Sequence, residues 1–284
     1  MRNLYRIELK KALGSPFFRL STLAASLIAL GSAGVAVYHY YYNMSLIGSF
    51  GYEENPWLPV NSLYNLWIAE EAYSVLPYLF YVLLPLFAAF GYAWSYAREG
   101  QNGYQRQLLL RVTGRHYVLS KYLAVFLSGA LITAIPMLLN LAAVACFVPA
   151  VQPDLFYNLQ YIHRYSLLFA ELFFSHPLCY LGAMLLLTAL FGGLFAVLSL
   201  TVSYVLRNPI ATVLVPFLVL LGFNYLTYVL MGQLGSIGEL SPLKFLHCTT
   251  GNLRYFWIAA TEAVLLFAIT FIATWIRGKK HDVF

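Results

Sequence analysis

Arg98–Lys121, REGQNGYQRQLLLRVTGRHYVLSK, is the longest polar break between hydrophobic runs that also concentrates positive charge. It carries Arg98, Arg106, Arg111, Arg115 and Lys121 against one acid, Glu99. Gly100 and Gly103 supply flexible backbone at its start. Leu108, Leu109, Leu110 and Val112 form a short apolar patch, and Thr113-Gly114 makes a second break. The pattern predicts a short basic helix between two glycine hinges, with a few exposed leucines suited to docking a soluble partner at a membrane surface. The same residues also suit an ordinary loop whose arginines only set topology. What lies on either side weighs between the two.

The flanks are hydrophobic. Of 284 residues, 61% are hydrophobic and only 10% charged, with a mean hydropathy of +0.71. A soluble domain carries about a quarter charged residues, so the composition is that of an integral membrane protein. Six runs, Leu20–Tyr42, Val75–Ala97, Tyr117–Phe147, Pro177–Leu206, Ile210–Met231 and Tyr255–Ile276, are each long enough to cross about 30 Å of hydrocarbon. Six crossings return both termini to one side. With that side taken as cytoplasmic, only Arg164, Lys244 and Arg254 of the 17 Lys and Arg fall outside. The acids Glu53, Glu54, Glu70, Glu71, Asp154, Glu171 and Glu239 lie outside. The positive-inside rule therefore selects this orientation, and the net charge of +6 speaks for topology rather than for nucleic acid.

Residues 1–19 read as a basic interfacial helix, with Arg2, Arg6 and Lys10 on one face toward anionic headgroups. Leu4, Tyr5, Leu9, Ala12 and Leu13 spread over the other face, and Glu8 interrupts the apolar arc. A signal peptide is disfavoured by the long positive region and the lack of a clear cleavage site. Within the runs, Ala25, Ala29 and Ala33 form a small-residue stripe, and Gly192 with Ala196 and Ala189 with Gly193 form another. Pro85, Pro136 and Pro216 are expected to kink or open their helices. Residues 43–74, 149–176 and 232–254 form the outer segments. The first two are expected to carry amphipathic pieces on the outer interface, the third to dip partly back. The 23 Tyr, 21 Phe and 5 Trp exceed what interfacial belts need, so some line a cavity or pack helices. Cys146, Cys179 and Cys248 all fall near the outer face, where a disulfide is permitted; buried apolar thiols are the plainer expectation.

Catalytic frames are missing from the sequence. No G-x-x-x-x-G-K precedes a Ser or Thr, so nucleotide hydrolysis by this chain alone is not expected. Glu70-Glu71 is followed by Ser74 where an intramembrane glutamate metalloprotease would need an arginine, and no G-x-S-x-G frame occurs. The six histidines are scattered, which predicts no metal site. Glu262, about two turns into the last run, is an intramembrane carboxylate, costly and a candidate for a translocation path together with Asn224 and Asn140.

Taken together, the chain resembles the membrane permease subunits of type 2 ABC transporters, mostly bacterial exporters. The likeness covers nearly the whole chain. It rests on the N-terminal helix, six crossings, and Ala97-Arg98-Glu99-Gly100 through Leu108-Leu109-Leu110-Arg111 to Leu119-Ser120-Lys121. One departure is Val112-Thr113-Gly114, where a proline is usual. The resemblance implies an all-α permease domain over 1–284, with residues 1–19 as an elbow helix and 98–116 as a cytoplasmic coupling segment. It implies that Arg98, Glu99, Gly100, Gly103, Arg106, Leu108, Leu109 and Arg111 seat in a groove of a separate ATP-binding subunit. Two such subunits and a second permease copy would complete the machine in the bacterial cytoplasmic membrane, with ATP and magnesium on the partner and no cofactor in this chain. The implied cargo is an amphipathic or hydrophobic peptide, drug or lipid-like molecule. A secondary carrier or channel would instead predict inverted repeats and partnered intramembrane charges. A non-transporting sensor or immunity protein on the same fold is the third reading.

Overall fold

Proline punctuates this chain. Pro16, Pro177, Pro209 and Pro242 each open a helix, where the missing N–H costs nothing and the fixed φ is already helical. A computed structural model describes residues 2–50, 61–71, 73–153, 168–206, 208–234, 240–247 and 255–281. In order these form α1 (Arg2–Gly14), α2 (Pro16–Phe50), α3 (Leu63–Leu66), α4 (Leu76–Tyr92), α5 (Ser95–Gln101), α6 (Tyr104–Leu109), α7 (Gly114–Ala145), α8 (Ala170–Ser175), α9 (Pro177–Ser203), α10 (Pro209–Leu234), α11 (Pro242–Phe245) and α12 (Tyr255–His281). Among the described residues there is no strand. Six stretches are long and apolar enough to cross a membrane, the mark of a multi-pass membrane protein: 16–46, 76–101, 114–145, 177–203, 209–227 and 256–279. Each corresponds to one of the six hydrophobic runs. Pro85, Pro136 and Pro216 lie inside helices α4, α7 and α10, as their places in the runs require.

Helix α7 is the axis of the bundle, with α1, α2, α4, α9 and α12 packed around it. It meets α9 at a point where two glycines face each other. A Cβ added to Gly129 would lie 2.6 Å from the Gly192 carbonyl oxygen, and one added to Gly192 would lie 2.5 Å from Thr133 Cγ2. Neither position has room for a side chain, so backbone meets backbone there. On α2 the Ala25, Ala29, Ala33 stripe is buried and continues to Ala36. Part of the aromatic excess packs the core: Phe80, Tyr81, Tyr117, Tyr180, Phe173, Phe191 and Phe195 are all fully buried.

Two local expectations are corrected. The segment 63–71 does not rest on an interface as an amphipathic helix; only Leu63–Leu66 is helical, and Leu66, Trp67, Ile68 and Ala69 are fully buried. Ile68 donates its N–H to Asn140 Oδ1 at 2.8 Å, and Asn140 Nδ2 donates to the Ala29 carbonyl at 2.7 Å, so the segment is a plug clamped between α2 and α7. Apolar side chains on both faces of a short loop favour insertion over lying flat. The second break in Arg98–Lys121 is set by Thr113, which is extended, while Gly114 already begins α7. Segment 240–247 does turn inward, with Phe245 and Leu246 in the core. Of residues 149–176, positions 154–167, with Asp154 and Arg164, lie outside the described residues, as do Cys248, Arg254, Glu53, Glu54 and Glu239.

Candidate functional site

On α1, Leu4, Glu8 and Ala12 recur every four residues and form the buried stripe. The middle member is a carboxylate with no exposed surface. A charge so placed is costly unless paired and hydrogen-bonded. The structure supplies both. Lys121, two turns into α7 and equally buried, places Nζ 2.9 Å from Glu8 Oε2 and 2.8 Å from Glu99 Oε2 of α5. Lys11, one turn beyond Glu8, lies 3.2 Å from Glu8 Oε1 and 3.6 Å from Glu99 Oε1. Two carboxylates and two ammonium groups therefore close a neutral ring.

Tyrosines seal the ring. The Tyr92 hydroxyl donates to Glu8 Oε2 at 2.9 Å, and the Tyr117 hydroxyl donates to Glu99 Oε2 at 2.6 Å. Lys11 donates to the Tyr104 hydroxyl at 2.9 Å and sits 4.1 Å above that ring. Lys121 Nζ is 4.8 Å from the Tyr92 ring centroid. Burial alone would raise the Glu8 carboxyl, but Lys121, then Lys11 and Tyr92, outweigh it and hold the group below its ordinary value of 4.5. For Lys11, burial pushes downward, while Tyr104, Glu8 and Glu99 push upward and leave it above its ordinary 10.5.

The ring thus ties the N-terminal helix, the end of the second crossing and the start of the third into one body. A second layer extends it. Gln105 of α6 donates to the Tyr96 hydroxyl at 2.9 Å, and Arg277 Nε of α12 donates to the same oxygen at 3.1 Å. Gly103 makes the turn between α5 and α6 with φ of 73°, a left-handed value that glycine adopts without cost. Beyond it α6 leaves Arg106, Gln107 and Arg111 exposed, with Leu110 89% exposed. Leu108 and Leu109, read as part of an exposed patch, pack back against the core instead, so Leu110 alone carries the apolar tip. Arg98 is exposed, its guanidinium 5.4 Å from the Trp94 ring, and Gly100 lies within α5. Arg6 and Lys10 are exposed on the far side of α1; the Arg2 side chain lies outside the described residues.

Residues 27–284 match a family described as Protein of unknown function (DUF2705). The chain belongs to the DUF2705 family. A search of curated proteins finds no match. The matched stretch contains Glu99 and Lys121; α1, with Glu8 and Lys11, precedes it.

The three residues expected on a translocation path are not joined by any hydrogen bond. Asn140 is fully buried with both amide atoms engaged, as above. Asn224 accepts from Ser241 Oγ at 2.6 Å, which ties α10 to the segment before α11. Glu262 is half-buried in α12, without a hydrogen-bonding partner among the described residues. At the opposite end of the bundle from the ring, Glu71 accepts from Ser32 Oγ at 2.8 Å, Ser74 N at 2.7 Å and Ser74 Oγ at 2.8 Å, so Ser74 serves this carboxylate directly. Glu70 accepts from the Tyr180 hydroxyl. Nearby His247 is pushed by burial down to about 4, which leaves it neutral at pH 7. Among the described residues no group of three His, Cys, Asp or Glu stands ready to hold a metal. Cys146 and Cys179 are free and exposed.

Lys11, Tyr92 and Tyr117 carry no signal of their own in the sequence, and Glu8 stands out there only as an acid within the apolar arc of α1. The available signal was a carboxylate inside an i, i+4 apolar stripe and a lysine well inside a hydrophobic helix. Each is costly alone, and each explains the other.

Proposed function

We propose that this protein is the membrane-spanning subunit of an ATP-driven exporter, with α6 as the element through which a separate cytoplasmic ATPase drives the crossings. The observation that carries this reading is Lys121, buried between Glu8 and Glu99. A lever must be stiff, and the ionic ring fixes α1, α5 and the start of α7 together while α6 projects an exposed Arg106, Leu110 and Arg111 beyond them. Displacement of that tip is therefore passed to α7, around which the bundle is packed. A loop that only set topology would need no buried charges to hold it.

On this reading the chain contributes no catalytic residue, and the nucleotide is bound and hydrolysed by the partner. The complete assembly holds two permeases and two ATPases in a bacterial cytoplasmic membrane with both termini inside. The cargo class that suits its apolar crossings is an amphipathic or hydrophobic molecule. The test is purification of the tagged chain from its native host. An ATP-binding subunit should accompany it, and Leu110→Asp should lower that recovery about tenfold or more without changing the yield of the membrane chain. Recovery of an active transporter without any ATPase, or unchanged capture by Leu110→Asp together with Arg111→Glu, would sink the reading.

A further inference from the structure

Between α2, α4 with α5, and the start of α10 lies a cleft of about 700 Å³, within the range of small-molecule sites. Its walls are apolar and come from three crossings: Leu20 and Ala24, Leu86 and Phe87, Val213 and Leu214. Its mouth is different. Arg98, Gln101 and Asn102 line it at the end of the bundle that holds the ionic ring. Phe17, Phe90 and Trp94 form an aromatic rim there, with Phe17 centred 5.2 Å from Phe90 and 4.8 Å from Trp94. Such rims mark the depth where hydrocarbon gives way to headgroups.

Two further observations point to an occupant. The guanidinium of Arg98 faces no carboxylate among the described residues, its one aromatic neighbour being Trp94. Glu99, the adjacent acid, is committed to Lys121 and Lys11. The hydroxyl of Ser21 lines the cleft, is 2% exposed, and has no hydrogen-bonding partner. A buried hydroxyl left alone is unfavourable by more than a satisfied one gains. We propose that this cleft holds one anionic phospholipid, with an acyl chain between the three crossings and its phosphate on Arg98. The ester carbonyl, just below the phosphate, provides the acceptor that Ser21 lacks. The apolar walls require the chain, and a soluble anion would leave them empty. The proposal needs only the membrane setting and stands apart from the ATP-driven reading.

The experiment is native mass spectrometry of the full chain in detergent, titrated with phosphatidylglycerol or with phosphatidylcholine of the same acyl chains. Phosphatidylglycerol should be retained about tenfold better, the scale of one charge-assisted contact. Arg98→Gln should reduce it to the phosphatidylcholine level, and Ala24→Trp, which fills the cleft, should remove both. If Ala24→Trp fails to fold, Arg98→Gln decides. Equal retention of the two lipids, or no effect of Arg98→Gln, overturns the proposal. So does competition by glycerol phosphate at the lipid's own concentration, which would reveal a simple anion site. Dissociation of a lipid-insensitive dimer by Ala24→Trp would also overturn it, as the cleft would then be a seam between copies. No arm uses ATP or a partner subunit, so a negative result leaves the exporter reading standing.

Discussion

At the scale of single residues, the weight falls on Lys121. Removing one member of a buried pair leaves a bare charge, which costs about 3–5 kcal/mol. Lys121→Met should therefore lower the melting temperature of the detergent-solubilised protein sharply. Adding Glu8→Gln restores the balance of charges among Glu99 and Lys11, so the double variant should lose less than the two single losses combined. Strict additivity would mean that the two side chains do not interact. The ring also sets a pH window. Glu8 titrates below 4.5 when folded, so its stabilisation is full above about pH 4.5 and is lost as pH falls through that lowered value. Lys11 is raised above 10.5, so its share is full below about pH 10.5 and is lost as pH rises past its folded value. Melting temperature against pH should show both limbs, and Glu8→Gln should abolish the acid one.

Among the elements, the pair α7 and α9 depends on Gly129 and Gly192, whose contact admits no Cβ. Gly129→Val should cost about 3 kcal/mol or more through forced separation of the two backbones, seen as a lowered melting temperature. Unchanged stability would show that the helices can move apart freely. The six crossings were legible because length and hydropathy decide a membrane span with little help from context. The glycine and alanine stripes are legible too, though their partner surfaces are not: nothing in the sequence pairs Gly192 with Gly129. The 63–71 plug is ambiguous in sequence because a mix of Leu, Tyr, Trp and Ile with Asn and Glu suits either an interface or a buried niche, and only the Asn140 clamp decides. In sequence Glu8 looks like a flaw in an amphipathic arc for a related cause. Lys11 is a local neighbour, but the buried partner of Glu8, Lys121, lies 113 residues away, beyond the reach of any local pattern.

For the molecule as a whole, orientation is the next fact to secure. The exposed thiols of Cys146 and Cys179 lie at the far end from the ionic ring, at the end of α7 and the start of α9. With the termini inside, a membrane-impermeant maleimide should label both in intact cells. Labelling only after the membrane is opened would invert the topology and remove α6 from the reach of the proposed cytoplasmic ATPase. Large apolar side chains on α10 and α12, among them Leu218, Val219, Val264 and Ile272, stay exposed and face lipid or another chain.

The separation of Glu8 from Lys121 also bears on how the protein is made. Helix α1 is synthesised well before α7, so Glu8 has Lys11 beside it from the start, while Lys121, the second ammonium group on its carboxylate, follows only after the stretches 16–46 and 76–101 have been made. Until Glu99 and Lys121 are both in place the ring stays open. Closure of the ring marks the moment at which early and late parts of the polypeptide become one object.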